Sequence, residues 1–226
     1  MRVLALDTTL SACSVAFAVD GRIAGHSFEQ LGHGHAERLM PMLEAARQES
    51  GLDYRDLDLI AVTVGPGTFT GVRIGLAAAR ALALPHGVPV AGVSTLQALA
   101  WGAGPGSPII AAIDARREQF YLQTFSGTLE PLTAAILGMA EDALRATAGT
   151  PGPWRLVGSG SPALSTLPQA CEADAASEPD AATIARHAAD LLPDAAVAWP
   201  PSPLYLRPPD ARLPTARPAP RPGPGA

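Results

Sequence analysis

The chain has 226 residues, 47% of them hydrophobic, enough for one large or two small domains that bury roughly 70% of their unfolded surface. Arg2 to Asp7 is too short and too soon interrupted by a carboxylate for a secretory h-region, and no run approaches the ~20 apolar residues of a membrane span, so a soluble cytoplasmic protein is expected. The formal net charge is −5 and all sixteen basic side chains are scattered Arg, which excludes a Lys-based phosphate loop and makes a poor grip on a nucleic-acid backbone.

Val3-Leu4-Ala5-Leu6 is a continuous apolar run, the pattern of a strand covered on both faces, and it is closed by the polar Asp7-Thr8-Thr9. Residues 13–19 and 22–28 read as two more strands joined at Asp20-Gly21, a pair whose tolerance of φ > 0 suits a two-residue hairpin. A helix is predicted over about 35–49, with Leu39, Met42, Leu43 and Ala46 on one stripe and a kink at Pro41. Residues 59–64 form another buried strand, followed by the glycine-rich 65–71 and a helix over 72–84 that carries Arg73 and Arg80 nearly on one face. Residues 88–93 are a strand, and Ser94-Thr95-Leu96-Gln97 has the spacing of a capping box that opens a short helix.

Residues 102–108 read as a Gly/Pro linker, with a boundary near 105, and the following stretch is a worn copy of the beginning. Ile109-Ile110-Ala111-Ala112-Ile113-Asp114 repeats the apolar strand closed by Asp, and 120–125 repeats the second strand. Arg155-Leu156-Val157-Gly158-Ser159-Gly160 echoes Val62-Thr63-Val64-Gly65-Pro66-Gly67, again strand into glycine loop into helix. Two related α/β halves, 1–105 and 106–207, are implied, with helical composition over 181–192. The Pro/Ala/Arg-rich tail 208–226 is expected to be disordered or polyproline-like. Cys13 and Cys171 show neither metal nor disulfide spacing and read as ordinary thiols.

A buried strand ending in Asp-Thr-Thr can present hydroxyls and amides to a phosphate while the Asp organises a cation, and the same residues also cap ordinary turns. The glycines of 65–71 either let a ligand approach the next helix or let that helix pack closely. His33 and His35, two apart, diverge, and no Cys or carboxylate completes a metal set. No G-x-S-x-G elbow occurs, so a serine-hydrolase reading has no support. The Leu/Met stripe of the first helix and the Arg/apolar face of the second fit either the chain's own sheet or a protein partner.

Leu6-Asp7-Thr8, Gly65-Pro66-Gly67-Thr68-Phe69-Thr70-Gly71-Val72-Arg73-Ile74-Gly75, Gly92-Val93-Ser94-Thr95-Leu96, Ala112-Ile113-Asp114-Ala115-Arg116 and Pro203-Leu204-Tyr205-Leu206-Arg207 resemble, in that order, the TsaB family over residues 1 to about 207. The resemblance implies two ribonuclease-H-like domains of the actin/hexokinase/acetate-kinase superfamily. It also implies a non-catalytic subunit that dimerises with and activates a TsaD-type paralogue, which transfers threonylcarbamoyl to the tRNA adenosine beside the anticodon, with a TsaE-type ATPase joining them. No cofactor of the chain's own is implied: ATP or ADP would belong to the assembled complex, tRNA would be met mainly through it, and the chain alone could homodimerise. The His-x-x-x-His metal pair of the catalytic paralogue falls here at Thr95 and Leu99, so no metal site is expected.

The candidate nucleotide- or anion-facing residues are Asp7, Thr8, Thr9, Gly65, Gly67, Gly71, Asp114 and Arg116. The candidate partner face is His35, Leu39, Met42, Leu43, Arg73, Leu76 and Arg80, and no catalytic residue is assigned. Relatives commonly carry Gly-Glu where this chain has Glu118-Gln119, which removes a carboxylate at 119. The rival readings are an ATP-dependent phosphotransferase using Asp7 and the 65–71 loop, and a peptidase; the missing Lys, metal pair and nucleophile elbow weigh against both.

Overall fold

The computed structural model describes residues 1–150, 152–167, 170–173, 177–191 and 201–207. Strands β1 (Arg2–Asp7), β2 (Ala12–Val19), β3 (Arg22–Gln30), β4 (Leu59–Gly65) and β5 (Val90–Ser94) form a sheet in the order β3-β2-β1-β4-β5. β1, β2 and β3 run antiparallel, whereas β4 and β5 are parallel to β1. Strands β6 (Ile109–Asp114), β7 (Phe120–Phe125), β8 (Ile136–Gly138), β9 (Trp154–Val157) and β10 (Ala170–Ala173) repeat this topology as β10-β9-β6-β7-β8, with the same alternation of antiparallel and parallel pairs. The internal copy legible in two strands and a glycine loop is thus a copy of a whole sheet.

Helices α1 (His35–Ser50), α2 (Phe69–Ala83), α3 (Thr95–Ala103), α4 (Ala140–Ala146), α5 (Ser161–Leu164) and α6 (Ala181–Arg186) cover the sheets. Alternation along β1 sends Leu4 and Leu6 to the face carrying α1 and α2, where they meet Phe17, Leu39, Leu43 and Leu76. Val3 and Ala5 point the other way and pack with Ala16, Ala61 and Ala91 against Ala181, Ile184 and Ala185 of α6. Small side chains on that face let the helix sit close to the strands. α6 therefore belongs to the first sheet, and so does the stretch 201–207: Leu204 N donates to Val64 O at 2.7 Å and Arg80 Nη2 to Pro201 O at 2.7 Å. The simple division at residue 105 is corrected accordingly, because the chain returns to its first half after completing the second.

α3 joins the halves, with Leu96, Leu99 and Ala100 packed against Ile109, Ile113 and Phe125 in one shared core. The expected linker after it is pinned by Arg155, whose guanidinium donates to the carbonyls of Ala103, Gly104 and Ser107 and so satisfies orphan acceptors at the end of α3. The capping box does not form: Ser94 takes the N-cap position without a side-chain bond, and Gln97 Nε2 donates instead to Leu129 O at 3.2 Å. α1 continues through Pro41. Cys13 is a buried free thiol, its pKa pushed up to about 12 by burial, and is inert. The tail 208–226 and the side chain of Cys171 lie outside the described residues. Among those described, no helix is long and apolar enough to cross a membrane.

α2 starts at Phe69, three residues before the expected 72, with Thr68 as N-cap accepting from Gly71 N at 3.1 Å. Its first turns lie directly on the end of β1. A Cβ at Gly67 would come within 2.5 Å of Thr9 O, at Gly71 within 2.0 Å of Thr8 O, and at Gly75 within 2.7 Å of Thr8 Oγ1. None of these three has a positive φ, in contrast to Gly65 at 105°. Close approach is what excludes a side chain there. We expect Gly71→Val to cost about 3 kcal/mol and lower the melting temperature by about 6–12 °C, since a backbone carbonyl must move to admit the new carbon. Differential scanning calorimetry checks this; an unchanged melting temperature would refute the packing role.

Candidate functional site

A cleft of about 450 Å³ opens between the two sheets, beyond the carboxyl ends of β1 and β6. Its walls carry Ser11, Gly67, Thr68, Asp114, Arg116, Tyr121, Glu178 and Arg207. Asp114 closes β6, its backbone N donating to Ser159 Oγ at 3.1 Å while its Oδ1 accepts from Arg116 N at 2.7 Å. Arg116, Arg117 and Glu118 follow with φ of 66°, 56° and 59°. Such a left-handed run of non-glycine residues costs of order 1 kcal/mol per residue and turns the chain sharply at the cleft mouth. Arg207 Nη2 donates to Gln119 Oε1 at 2.9 Å, so a neutral amide serves where a carboxylate had been the family expectation.

Three of the candidate anion-facing residues do not reach this cleft. Asp7, Thr8 and Thr9 are all fully buried. Asp7 Oδ1 accepts from Thr63 Oγ1 at 2.5 Å, Thr9 Oγ1 at 2.6 Å and Thr9 N at 3.3 Å. Thr8 Oγ1 donates to Gly71 O at 2.7 Å. Asp7 Oδ1 and the Thr8 and Thr9 hydroxyls hold β1, β4 and α2 together, while Asp7 Oδ2 is buried without a hydrogen-bond partner, and burial of all three side chains corrects the expectation that they face a phosphate in the cleft. Gly65 and Gly71 likewise serve backbone packing, and of the original set Gly67, Asp114 and Arg116 line the cleft. Ser11, Thr68, Tyr121, Glu178 and Arg207 were missed. Arg207 lies in a motif stretch, but Glu178 is 167 positions from Ser11 and leaves no local signal.

The candidate partner stripe needs the same correction. Leu39, Met42, Leu43 and Leu76 lie in the core against the chain's own sheet, and His35 is buried with Nε2 3.1 Å from Ala12 O. Arg80 is engaged by Pro201. The outward faces of α1 and α2 instead present Met40, 53% exposed, and Phe69, 57% exposed. Phe69 stacks on Tyr205 with centroids 5.6 Å apart, and the Arg73 guanidinium sits 3.7 Å above the Phe69 ring while Nε donates to Tyr205 OH at 3.1 Å. This aromatic–Arg cluster is the exposed feature of the face.

At the positions matching the metal pair, Thr95 Oγ1 donates to Thr9 Oγ1 at 3.3 Å and thereby joins the network around Asp7. Leu99 is fully buried in the core between the sheets. Neither side chain can ligate a metal in place of histidine. Among the described residues no group of three or more His, Cys, Asp or Glu could hold a metal ion.

Two sheets of identical topology facing each other across a cleft define the actin/hexokinase-like class of folds. An activator of 2-hydroxyisocaproyl-CoA dehydratase from Clostridium difficile shares the fold, with a TM-score of 0.50 at 11% identity over 87% of this chain and 96% of that one. The family model described as TsaD: tRNA N6-adenosine threonylcarbamoyltransferase matches residues 27–188. YeaZ from Pseudomonas aeruginosa superposes with a TM-score of 0.77 at 31% identity over 91% of this chain and 99% of that one. The tRNA threonylcarbamoyladenosine biosynthesis protein TsaB of Escherichia coli (strain K12) is 44% identical over 124 residues, 54% of this chain. The chain therefore belongs to the TsaB family, a relative in sequence of TsaD. Its match to the Escherichia coli protein spans 53% of that protein's length, about half.

The environment of Asp7 has a measurable consequence. Burial outweighs the three hydrogen bonds, and nearby Glu178 adds repulsion, so the Asp7 pKa is raised from 3.8 to about 6. With the folded value above the unfolded one, this site favours the folded state most below about pH 4, and that contribution is lost as pH rises through 6. Asp7→Asn should remove the dependence. Between pH 4 and 7 the stability of the variant should gain on the wild type by about 2 kcal/mol. Urea unfolding across that range reads the difference, and parallel pH profiles for the two proteins would rule the assignment out.

Proposed function

We propose that this chain is a non-catalytic dimerisation and activating subunit of a complex that forms N6-threonylcarbamoyladenosine in tRNA, scaffolding a TsaD-type transferase. The observation that carries the reading is the fate of the metal-pair positions. Thr95 is absorbed into the buried Thr9–Asp7 network and Leu99 into the apolar core, so restoring a metal would require rebuilding the centre of the molecule. The inward-pointing Asp7, Thr8 and Thr9 side chains and the Glu178 carboxylate lying on the nearby amides support a reading in which this chain holds no nucleotide of its own. A phosphotransferase centred on Asp7 is disfavoured on the same ground.

In this reading the chemistry belongs to the TsaD-type partner, a TsaE-type ATPase joins the pair, and ATP or ADP is held by the assembled complex. The net charge of −5 suits a subunit that meets tRNA mainly through its partners in the cytoplasm. Docking uses the outward faces of α1 and α2, where Met40 and Phe69 supply apolar area and Arg73 supplies an orienting guanidinium. The same face offers a homodimer contact when the partner is absent.

We expect the isolated chain to show no nucleotide hydrolysis and no threonylcarbamoyl transfer, and addition of the TsaD-type paralogue to yield an active complex. Turnover by the chain alone would establish the enzyme reading instead. By calorimetric titration against that paralogue, Met40→Asp and Phe69→Ala should each weaken binding by about 1–3 kcal/mol with the circular dichroism spectrum preserved. Leu43→Asp, by contrast, should unfold the chain, since it places a carboxylate in the core.

A further inference from the structure

Glu178 reaches the turn between β1 and β2 from 167 positions further along the chain. Its Oε2 accepts from the backbone N of Ser11 and of Ala12, each at 3.2 Å. Its Oε1 accepts from the Ser11 hydroxyl and from Gln30 Nε2, the latter at 3.4 Å. Two adjacent amides, a hydroxyl and a carboxamide thus converge on one carboxylate inside the cleft whose walls also carry Arg116 and Arg207. Neighbouring contacts hold that carboxylate in place: Asp180 Oδ1 lies 2.8 Å from His26 Nε2, and Ala181 N donates to Ser14 Oγ at 2.9 Å.

We propose that the Ser11 and Ala12 amides with Ser11 Oγ are an anion-binding site that this chain fills with its own Glu178, so that an outside phosphate group enters only when that carboxylate is withdrawn. Successive backbone N–H groups aimed into a concavity accept carboxylate and phosphate oxygens alike. A tethered carboxylate competes at an effective concentration of millimolar or more. Asp114 on the same cleft wall and buried Asp7 behind it add negative charge, so a second anion cannot share the site with Glu178. The proposal holds whether or not the chain acts as a scaffold subunit, and its test needs no partner.

The test compares the full chain with Glu178→Ala and Glu178→Gln at constant ionic strength, following melting temperature and the phosphorus NMR linewidth of inorganic phosphate. At about ten times its half-saturating concentration, phosphate should raise the melting temperature of Glu178→Ala by about 3–6 °C and leave the wild type unchanged. Ser11→Ala in the Glu178→Ala background should weaken the phosphate response by about tenfold. If Glu178→Ala does not fold, Glu178→Gln carries the test through saturable line broadening. ADP half-saturating below inorganic phosphate, with adenosine silent, identifies a nucleotide phosphate as the ligand; equal values identify free phosphate. No phosphate response in the folded variants, or an equal response in the wild type, overturns the proposal.

Discussion

The rest of the molecule is arranged around the contact of α2 with the end of β1. The helix and the loop before it rest on the Thr8 and Thr9 carbonyls and the Thr8 hydroxyl at a separation that admits no Cβ at Gly67, Gly71 or Gly75. Once that contact is made, Thr8 Oγ1 can donate across to Gly71 O, and Gly71 N is capped by the Thr68 hydroxyl. Dispersion and backbone hydrogen bonding gain from such close packing, whereas a ligand would need the space it removes. The glycine motif therefore belongs to the architecture of the first sheet.

Behind that contact the strand end is sealed by a chain of hydroxyls. Thr95 donates to Thr9, and Thr9 and Thr63 donate to Asp7, all away from solvent. A buried carboxylate is tolerated because several donors converge on it, yet its raised pKa shows that they do not offset the full cost of desolvation. The end of β1 is thus a polar clasp between β1, β4 and α3.

The two halves are interlocked more tightly than their repeat suggests. α6 and residues 201–207 return to the first sheet, and α3 shares its core with the second. A chain that crosses back in this way fixes the cleft between its sheets, so the positions of Glu178, Arg207 and Asp114 relative to Ser11 are set by packing on both sides of it.

The residues by themselves determined the apolar strands, the two principal helices, the repeat of the first strand pair, and the family to which Gly65–Gly75 and its companion motifs belong. These are legible because periodicity and glycine spacing act over a few neighbouring positions. β8, β10 and α4 were not, since elements of three to seven residues are too short to show a period. Which face of α1 turns outward was equally hidden: Leu39, Met42 and Leu43 form a stripe that suits a partner or a sheet, and only the position of β1 and β2 decided for the sheet. Asp7 read as a site residue for the same reason, because burial depends on what packs over it. The meeting of Glu178 with Ser11 was decided by tertiary structure alone, since it joins residues 167 positions apart through a fold that neither neighbourhood encodes.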